Sequence, residues 1–313
     1  MTPGPDPEIV RRLDPALHPF AGARSDLARE TLAAVRQSLD ERRRATSAAV
    51  DTTGVAITES AVARDDGTAV PVRIYRGGPA PAPTVIYCHA GAFVLGNLDT
   101  DHHQCVTLAR GARCTVVSVD YRLAPEHPYP AALLDAAAVL TWARASAAEI
   151  NVDSARLAVA GSSAGAALAA GLAQRCAEGE LPPIVGVLLH QPVLDDRPTA
   201  SKAEFATTPG FDGAAAKLMW RHYLGDTAPD AASVPARNHR LIDTPTTFIT
   251  CSELDPLRDE AVDYARRLMR CGVRTDLHVF GGTCHGFDSL RPEWAVSRAL
   301  FTMQCAALGR FFA

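Results

Sequence analysis

Two textures of apolar patterning divide the chain. From Thr84 onward, short β-branched apolar runs alternate with longer stretches of helical periodicity, the pattern of crossover units wound around a parallel sheet. The runs predict strands at Thr84–Cys88, Thr115–Asp120, Leu157–Ala160, Ile184–Leu189, Thr246–Thr250 and Asp276–Phe280. Ahead of them, Val55–Val62 and Ala69–Tyr75 flank Asp65-Asp66-Gly67, whose chemistry suits a hairpin, and bring the expected strands to eight. The first fifty residues differ. They are rich in Pro and Ala, carry no strand signal, and predict helices over Leu27–Leu39, after a Ser25/Asp26 start, and over Glu41–Ala49.

A second interruption, about 194–236, replaces an expected crossover with Pro, Asp and Thr and one helical stretch, Gly213–Tyr223. The expected organisation is therefore an N-terminal helical cap segment over 1–50 and an α/β domain over 51–313, with a cap insertion at about 194–236. With 313 residues, 47% of them hydrophobic and 21% charged, the chain has apolar material for a large core and lacks the charge excess of a disordered one.

A formal net charge of −4 offers no electrostatic footprint for nucleic acid or an anionic membrane. The one basic run, Arg42-Arg43-Arg44, reads as a solvated helix face. No run of about 18 apolar residues occurs, so stable membrane insertion is not expected. The N-terminal residues lack the basic and apolar regions of a secretory signal, and eight cysteines are scattered without a CxxC pair. Free thiols and a cytoplasmic location are the expectation.

The chemistry concentrates at strand ends. Gly161-Ser162-Ser163-Ala164-Gly165 joins the apolar run Leu157–Ala160 to an Ala-rich helix former, the strand–turn–helix context in which G-x-S-x-G exposes a nucleophilic serine. A serine hydroxyl needs a base, and the base an orienting carboxylate, in the chain order serine, acid, histidine. Asp255 follows the strand ending at Thr250, and His285 follows the one ending at Phe280. Taken singly, Asp255 could be a helix cap and His285 a loop residue; their order behind Ser163 argues for a relay. The oxyanion of acyl transfer needs amide donors, which Ala164 and the small-residue run His89-Ala90-Gly91-Ala92-Phe93 offer. Neither Glu126 and His127 nor His102 and His103 beside Cys105 have partners at ligand spacing, so no metal is expected.

These motifs, with Asp120–Ala131 and Asp255–Glu260, resemble the bacterial hormone-sensitive-lipase-like esterases, an α/β-hydrolase family, from about Ala69 to Phe312. The resemblance implies a mostly parallel eight-stranded sheet flanked by helices, a helical cap, no cofactor, and a small-molecule ester of short to medium acyl chain as substrate. It also implies Gly91, Ala92 and Ala164 as oxyanion donors and His89 as support for their loop. A homodimer is a further option it raises. The chain departs from the family's His-Gly-Gly-Gly with His89-Ala90-Gly91-Ala92, and from its usual aspartate before the nucleophile with Ser162. A narrower oxyanion hole is expected from the two methyl groups. Amide hydrolysis with the same machinery, and a binding protein on a hydrolase scaffold, are the competing readings; retention of His285 weighs against the second. Phe20, Phe93, Phe205, Phe211, Met219 and Trp220 are candidates to line an acyl pocket.

Overall fold

The computed structural model describes residues 6–64 and 66–313. In chain order the elements are α1 (Pro7–Arg12), α2 (Leu32–Ser47), β1 (Ala56–Ala63), β2 (Ala69–Arg76), β3 (Ala82–Cys88), α3 (His102–Gly111), β4 (Thr115–Val119), α4 (Ala131–Ala145), β5 (Val152–Ser162) and α5 (Ala164–Ala177). There follow β6 (Gly186–His190), α6 (Ala200–Glu204), α7 (Gly213–Leu224), β7 (Thr247–Leu254), α8 (Arg258–Arg270), β8 (Thr275–Cys284), α9 (Phe287–Leu290) and α10 (Ala295–Phe311). The strands form one eight-stranded sheet in the order β1-β2-β4-β3-β5-β6-β7-β8. The hairpin β1–β2 and the β2–β4 pair are antiparallel, and every later pair is parallel.

All eight expected strands are present. The shorter reading of β5, β7 and β8 follows from their polar ends, since each extends past its apolar run into residues that build the site. At the β1–β2 turn, Asp65 lies outside the described residues, while Gly67 at φ +80° supplies the left-handed position and Arg64 N–H donates to Thr68 O at 2.8 Å. Strands β3 to β6 are buried on both faces, as a parallel sheet covered by helices requires. One apolar layer contains Ile86, Val117, Val159 and Leu189 under α4, α5 and α8. The opposite layer contains Tyr75, Val85, Val116 and Leu188 under α3 and α10.

The N-terminal region departs from the expected helices. One helix, α2, replaces the two over Leu27–Leu39 and Glu41–Ala49, and it begins only at Leu32. Asp26 does accept a local bond, from Ala28 N–H at 2.9 Å, but the turn it closes does not propagate. Polar composition explains the misplacement: α2 buries only Leu32 fully, so few apolar positions mark its register. It is docked by Arg36, whose guanidinium bonds the carbonyls of Val94 and Ala124 at 2.7 Å each and pairs with Glu126 at 2.8 Å. Before α2, Ile9, Leu13 and Leu17 pack against Leu254, Phe280 and Phe287 at the β7–β8 end of the sheet.

Candidate active site

The turn after β5 puts Ser163 at φ +56°, ψ −118°, a strained backbone that a serine adopts only where its surroundings dictate it. Those surroundings are made of close backbone approaches. A Cβ on Gly161 would stand 2.3 Å from the Gly165 carbonyl oxygen, and one on Gly165 2.0 Å from that of Cys88. The spacing of glycines two residues either side of Ser163 is thus a steric requirement of strand, turn and helix meeting so tightly.

His285, one residue beyond β8, sets Nε2 2.9 Å from Ser163 Oγ and Nδ1 2.8 Å from Asp255 Oδ2. Asp255 is fully buried, and its other oxygen accepts Leu257 N–H at 2.8 Å, so the same carboxylate organises the entry to α8 and faces the histidine. The three side chains come together from the ends of β5, β7 and β8.

Across the site lies the loop from His89. Gly91 sits at φ +141°, where a Cβ would meet Leu95 O at 1.9 Å, and Ala92 and Phe93 follow at φ +54° and +60°. The Gly91 carbonyl turns away to accept Val94 and Leu95 N–H, at 3.0 and 2.7 Å. Among the described residues the amides of Gly91 and Ala92 donate to no protein acceptor, and that of Ala164 opens α5, where an N–H has no intrahelical partner. His89 is buried, with Nδ1 2.8 Å from Ala90 O and its ring stacked 4.2 Å from Tyr121, whose hydroxyl donates to His89 O. Burial pushes its pKa down to about 4, so the imidazole is neutral and Nδ1–H is the donor. Gly96 leaves room for that ring, which a Cβ there would approach to 2.4 Å.

Residues that the sequence patterning did not single out complete the surroundings. Asp101 Oδ2 accepts Ala90 N–H at 2.9 Å and the Tyr87 hydroxyl at 3.1 Å; burial, with Asp288 nearby, pushes its pKa up to about 6. Gln191 lies beneath the His285 loop. Only the topology, which places the start of α3 under the loop after β3 and the end of β6 beside the loop after β8, brings them into the site.

A cavity of about 410 Å³ opens onto Ser163 and His285, lined also by Ala92, Leu27, Leu39 and Phe211. Of the six candidates for an acyl pocket, only Phe211 lines it, with its ring 5.0 Å from that of His285. Phe93 stacks on Tyr223 in the core beside Met219 and Trp220, Phe205 lies between the guanidinium groups of Arg12 and Arg258, and Phe20 packs near β8. The reading of Arg42–Arg44 as a solvated face holds for the exposed Arg42 and Arg44 and is corrected at Arg43. Arg42 and Arg43 line the cavity, and Arg43 is largely buried, 3.6 Å from Asp40. His102 Nδ1 lies 3.0 Å from the Tyr75 hydroxyl, and Glu126 is taken up by Arg36.

Comparisons with known proteins agree with this fold. The sequence profile of the alpha/beta hydrolase fold family matches residues 85–289. The crystal structure of esterase LipW from Mycobacterium marinum is 58% identical and superposes with a TM-score of 0.96 over 99% of this chain and 98% of that one. Esterase LipI of Mycobacterium tuberculosis is 42% identical over 232 residues, 71% of this chain and 72% of its own. An ethyl acetate hydrolase of Pseudomonas putida is 34% identical over 244 residues, covering 74% and 75%. No helix among the described residues is long and apolar enough to cross a membrane. In sequence and in fold, the chain belongs to the alpha/beta hydrolase family, among its esterases.

Proposed function

We propose that the protein is a serine carboxylic-ester hydrolase in which Ser163 is the nucleophile, His285 the general base and Asp255 the residue that orients the histidine. The observation that carries the reading is the unbroken relay, 2.9 Å from serine to histidine and 2.8 Å from histidine to a fully buried carboxylate. In this scheme Ser163 Oγ attacks the acyl carbon while His285 Nε2 takes its proton. The amides of Gly91, Ala92 and Ala164 receive the oxyanion, each donor worth roughly 10²–10³ in rate. His285 then protonates the departing alcohol, and water activated by the same nitrogen releases the acid from Ser163. His89 holds the donor loop from beneath.

The cavity suits a small ester of short to medium acyl chain, in keeping with relatives named esterases and an ethyl acetate hydrolase. Leu27, Leu39, Arg42 and Arg43 from segment 1–50, and Phe211 from segment 194–236, form its wall. We assign both segments to a cap over the site. The eight free cysteines, most of them buried, suit a reducing compartment such as the cytoplasm.

The test is covalent labelling of Ser163 by a fluorophosphonate, read by intact mass, beside turnover of p-nitrophenyl esters from acetate to octanoate. Wild type is expected to label once and to turn over the shorter esters fastest. Ser163→Ala and His285→Ala should each lose about 10⁴-fold or more in kcat. A folded wild type that neither labels nor turns over any ester would overturn the proposal.

A further inference from the structure

The dipeptide His190-Gln191, at the end of β6, stands outside the relay yet grips both of its ends. The carbonyl of His190 accepts Ser163 N–H at 2.8 Å. The Gln191 side chain accepts Gly286 N–H at 2.7 Å and donates to Cys284 O at 3.2 Å and Ser252 Oγ at 2.6 Å. Cys284 and Gly286 are the two neighbours of His285, so one amide group binds the peptide units on both sides of the histidine. The imidazole of His190 reaches the same loop at Asp288, 3.1 Å away, with its other nitrogen 2.8 Å from Thr250 Oγ1.

The chemistry of that grip is specific. A primary amide presents an acceptor and two donor hydrogens on one rigid plane, as bridging an N–H and a C=O requires. An apolar side chain would leave Gly286 N–H unpaired and Cys284 O with Ser252 Oγ, at 3.1 Å, as its remaining donor, and a carboxylate would serve only the N–H. Gln191 is itself 1% exposed and is held at φ +45°, a left-handed backbone that residues other than glycine avoid. Strain at a buried, fully bonded residue beside a reacting group marks a position that its surroundings enforce.

We infer that Gln191, seated by His190, is a positioning residue that fixes His285 Nε2 at proton-transfer distance from Ser163 Oγ. The inference rests on the relay proposed above, which wild-type labelling tests separately. A displacement of about 1 Å at such a contact is enough to cost on the order of 100-fold in rate.

The experiment compares Gln191→Leu and Gln191→Glu with wild type, measuring kcat, KM and pH profile on p-nitrophenyl acetate and the rate of fluorophosphonate labelling. Gln191→Leu should lose roughly 10- to 100-fold in kcat, with KM within about 3-fold and labelling slowed in the same ratio. Gln191→Glu keeps the acceptor for Gly286 N–H and brings a carboxylate to the histidine loop. His285 is otherwise faced by Asp255, the Ser163 hydroxyl and the Phe211 ring, while Asp288 is engaged by His190. The added charge favours the imidazolium, so the acid limb of kcat should move to higher pH, with part of the lost rate recovered above it. Unchanged kcat and an unmoved limb in both variants would overturn the inference, even with a lowered Tm. So would a raised KM at constant kcat, which would make Gln191, one of the residues lining the cavity, a substrate-binding wall and not a positioning residue. If Gln191→Leu does not fold, the limb and kcat of Gln191→Glu decide alone.

Discussion

Two loops face each other across Ser163 and are built on opposite principles. The donor loop after β3 takes its shape from its own backbone, with Asp101 and Tyr121 bracing only its first two residues: Gly91 has no room for a side chain, Ala92 and Phe93 are wound left-handed, and Gly96 makes space for His89. The histidine loop after β8 is held from outside, by Gln191 and His190, and its glycine, Gly286 at φ +72°, has nothing within 4 Å of where a Cβ would stand. The difference follows from what each loop presents. Backbone amides aimed at an oxyanion must be fixed by backbone geometry, whereas an imidazole is aimed by fixing the peptide units around it.

The same substitution in each loop exposes that contrast most sharply. Gly91→Ala forces a Cβ against Leu95 O at 1.9 Å and must displace a proposed donor, so kcat/KM should fall about 10²–10³-fold. Gly286→Ala meets only the left-handed backbone penalty, about 1 kcal/mol, and should lower Tm by roughly 2–4 °C while leaving kcat/KM within about 3-fold. Ester kinetics and thermal melts of the two variants check both arms; equal loss of activity would erase the distinction between the loops.

One buried acid, Asp101, supports the donor loop from outside, and its removal should matter less than a clash within the loop. Asp101→Ala strands Ala90 N–H and the Tyr87 hydroxyl, at about 1–3 kcal/mol, and should slow kcat roughly 10-fold through a loosened loop. Asp101→Asn keeps an acceptor and should be milder. The pair also separates by pH. The folded carboxyl, at about 6, binds its proton more tightly than the ordinary 3.8 of the unfolded chain. Its stabilising contribution is therefore complete below about pH 4 and is lost as pH rises to about 6, about 3 kcal/mol in all at 1.36 kcal/mol per pKa unit. Relative to Asp101→Asn, wild type should lose Tm across that window, and parallel Tm curves would refute the assignment.

The same contrast governs what was legible in the sequence. Ser163, Asp255 and His285 each follow an apolar run whose strand is readable, and their chain order is the one that goes with a G-x-S-x-G elbow, so their meeting could be anticipated residue by residue. Asp101 acts on partners 11 and 14 positions back, across the loop after β3, and Gln191 on residues that begin 61 positions away, and no local pattern marks such contacts. Helix α2 fails for a different reason. With one fully buried residue its register is set by Arg36 docking on the loops after β3 and β4, and that docking turns Arg43 inward while Arg42 lies exposed along the cavity. The six pocket candidates were readable as apolar but not as wall or core, since that depends on tertiary packing: Phe93, Met219 and Trp220 are taken up by the core, and only Phe211 reaches the cavity.

Ala92 offers the finest test of the donor loop, because there the chain carries a methyl group where the His-Gly-Gly-Gly pattern it resembles has glycine. At φ +54° the methyl group strains the folded backbone by about 1 kcal/mol, and Ala92→Gly removes that strain while giving the unfolded chain a comparable entropy gain. The two terms oppose each other, so Tm should shift by no more than roughly 2 °C. The amide is unaltered, and acetate turnover should stay within about 2-fold of wild type if donation comes from the backbone alone. Since Ala92 lines the cavity, the missing methyl should register only with bulk, as a relative gain for butyrate and branched acyl esters over acetate. A large fall on acetate instead would mean that the methyl wedges the loop in place, and that this loop, like the histidine loop, depends on a side chain for its aim.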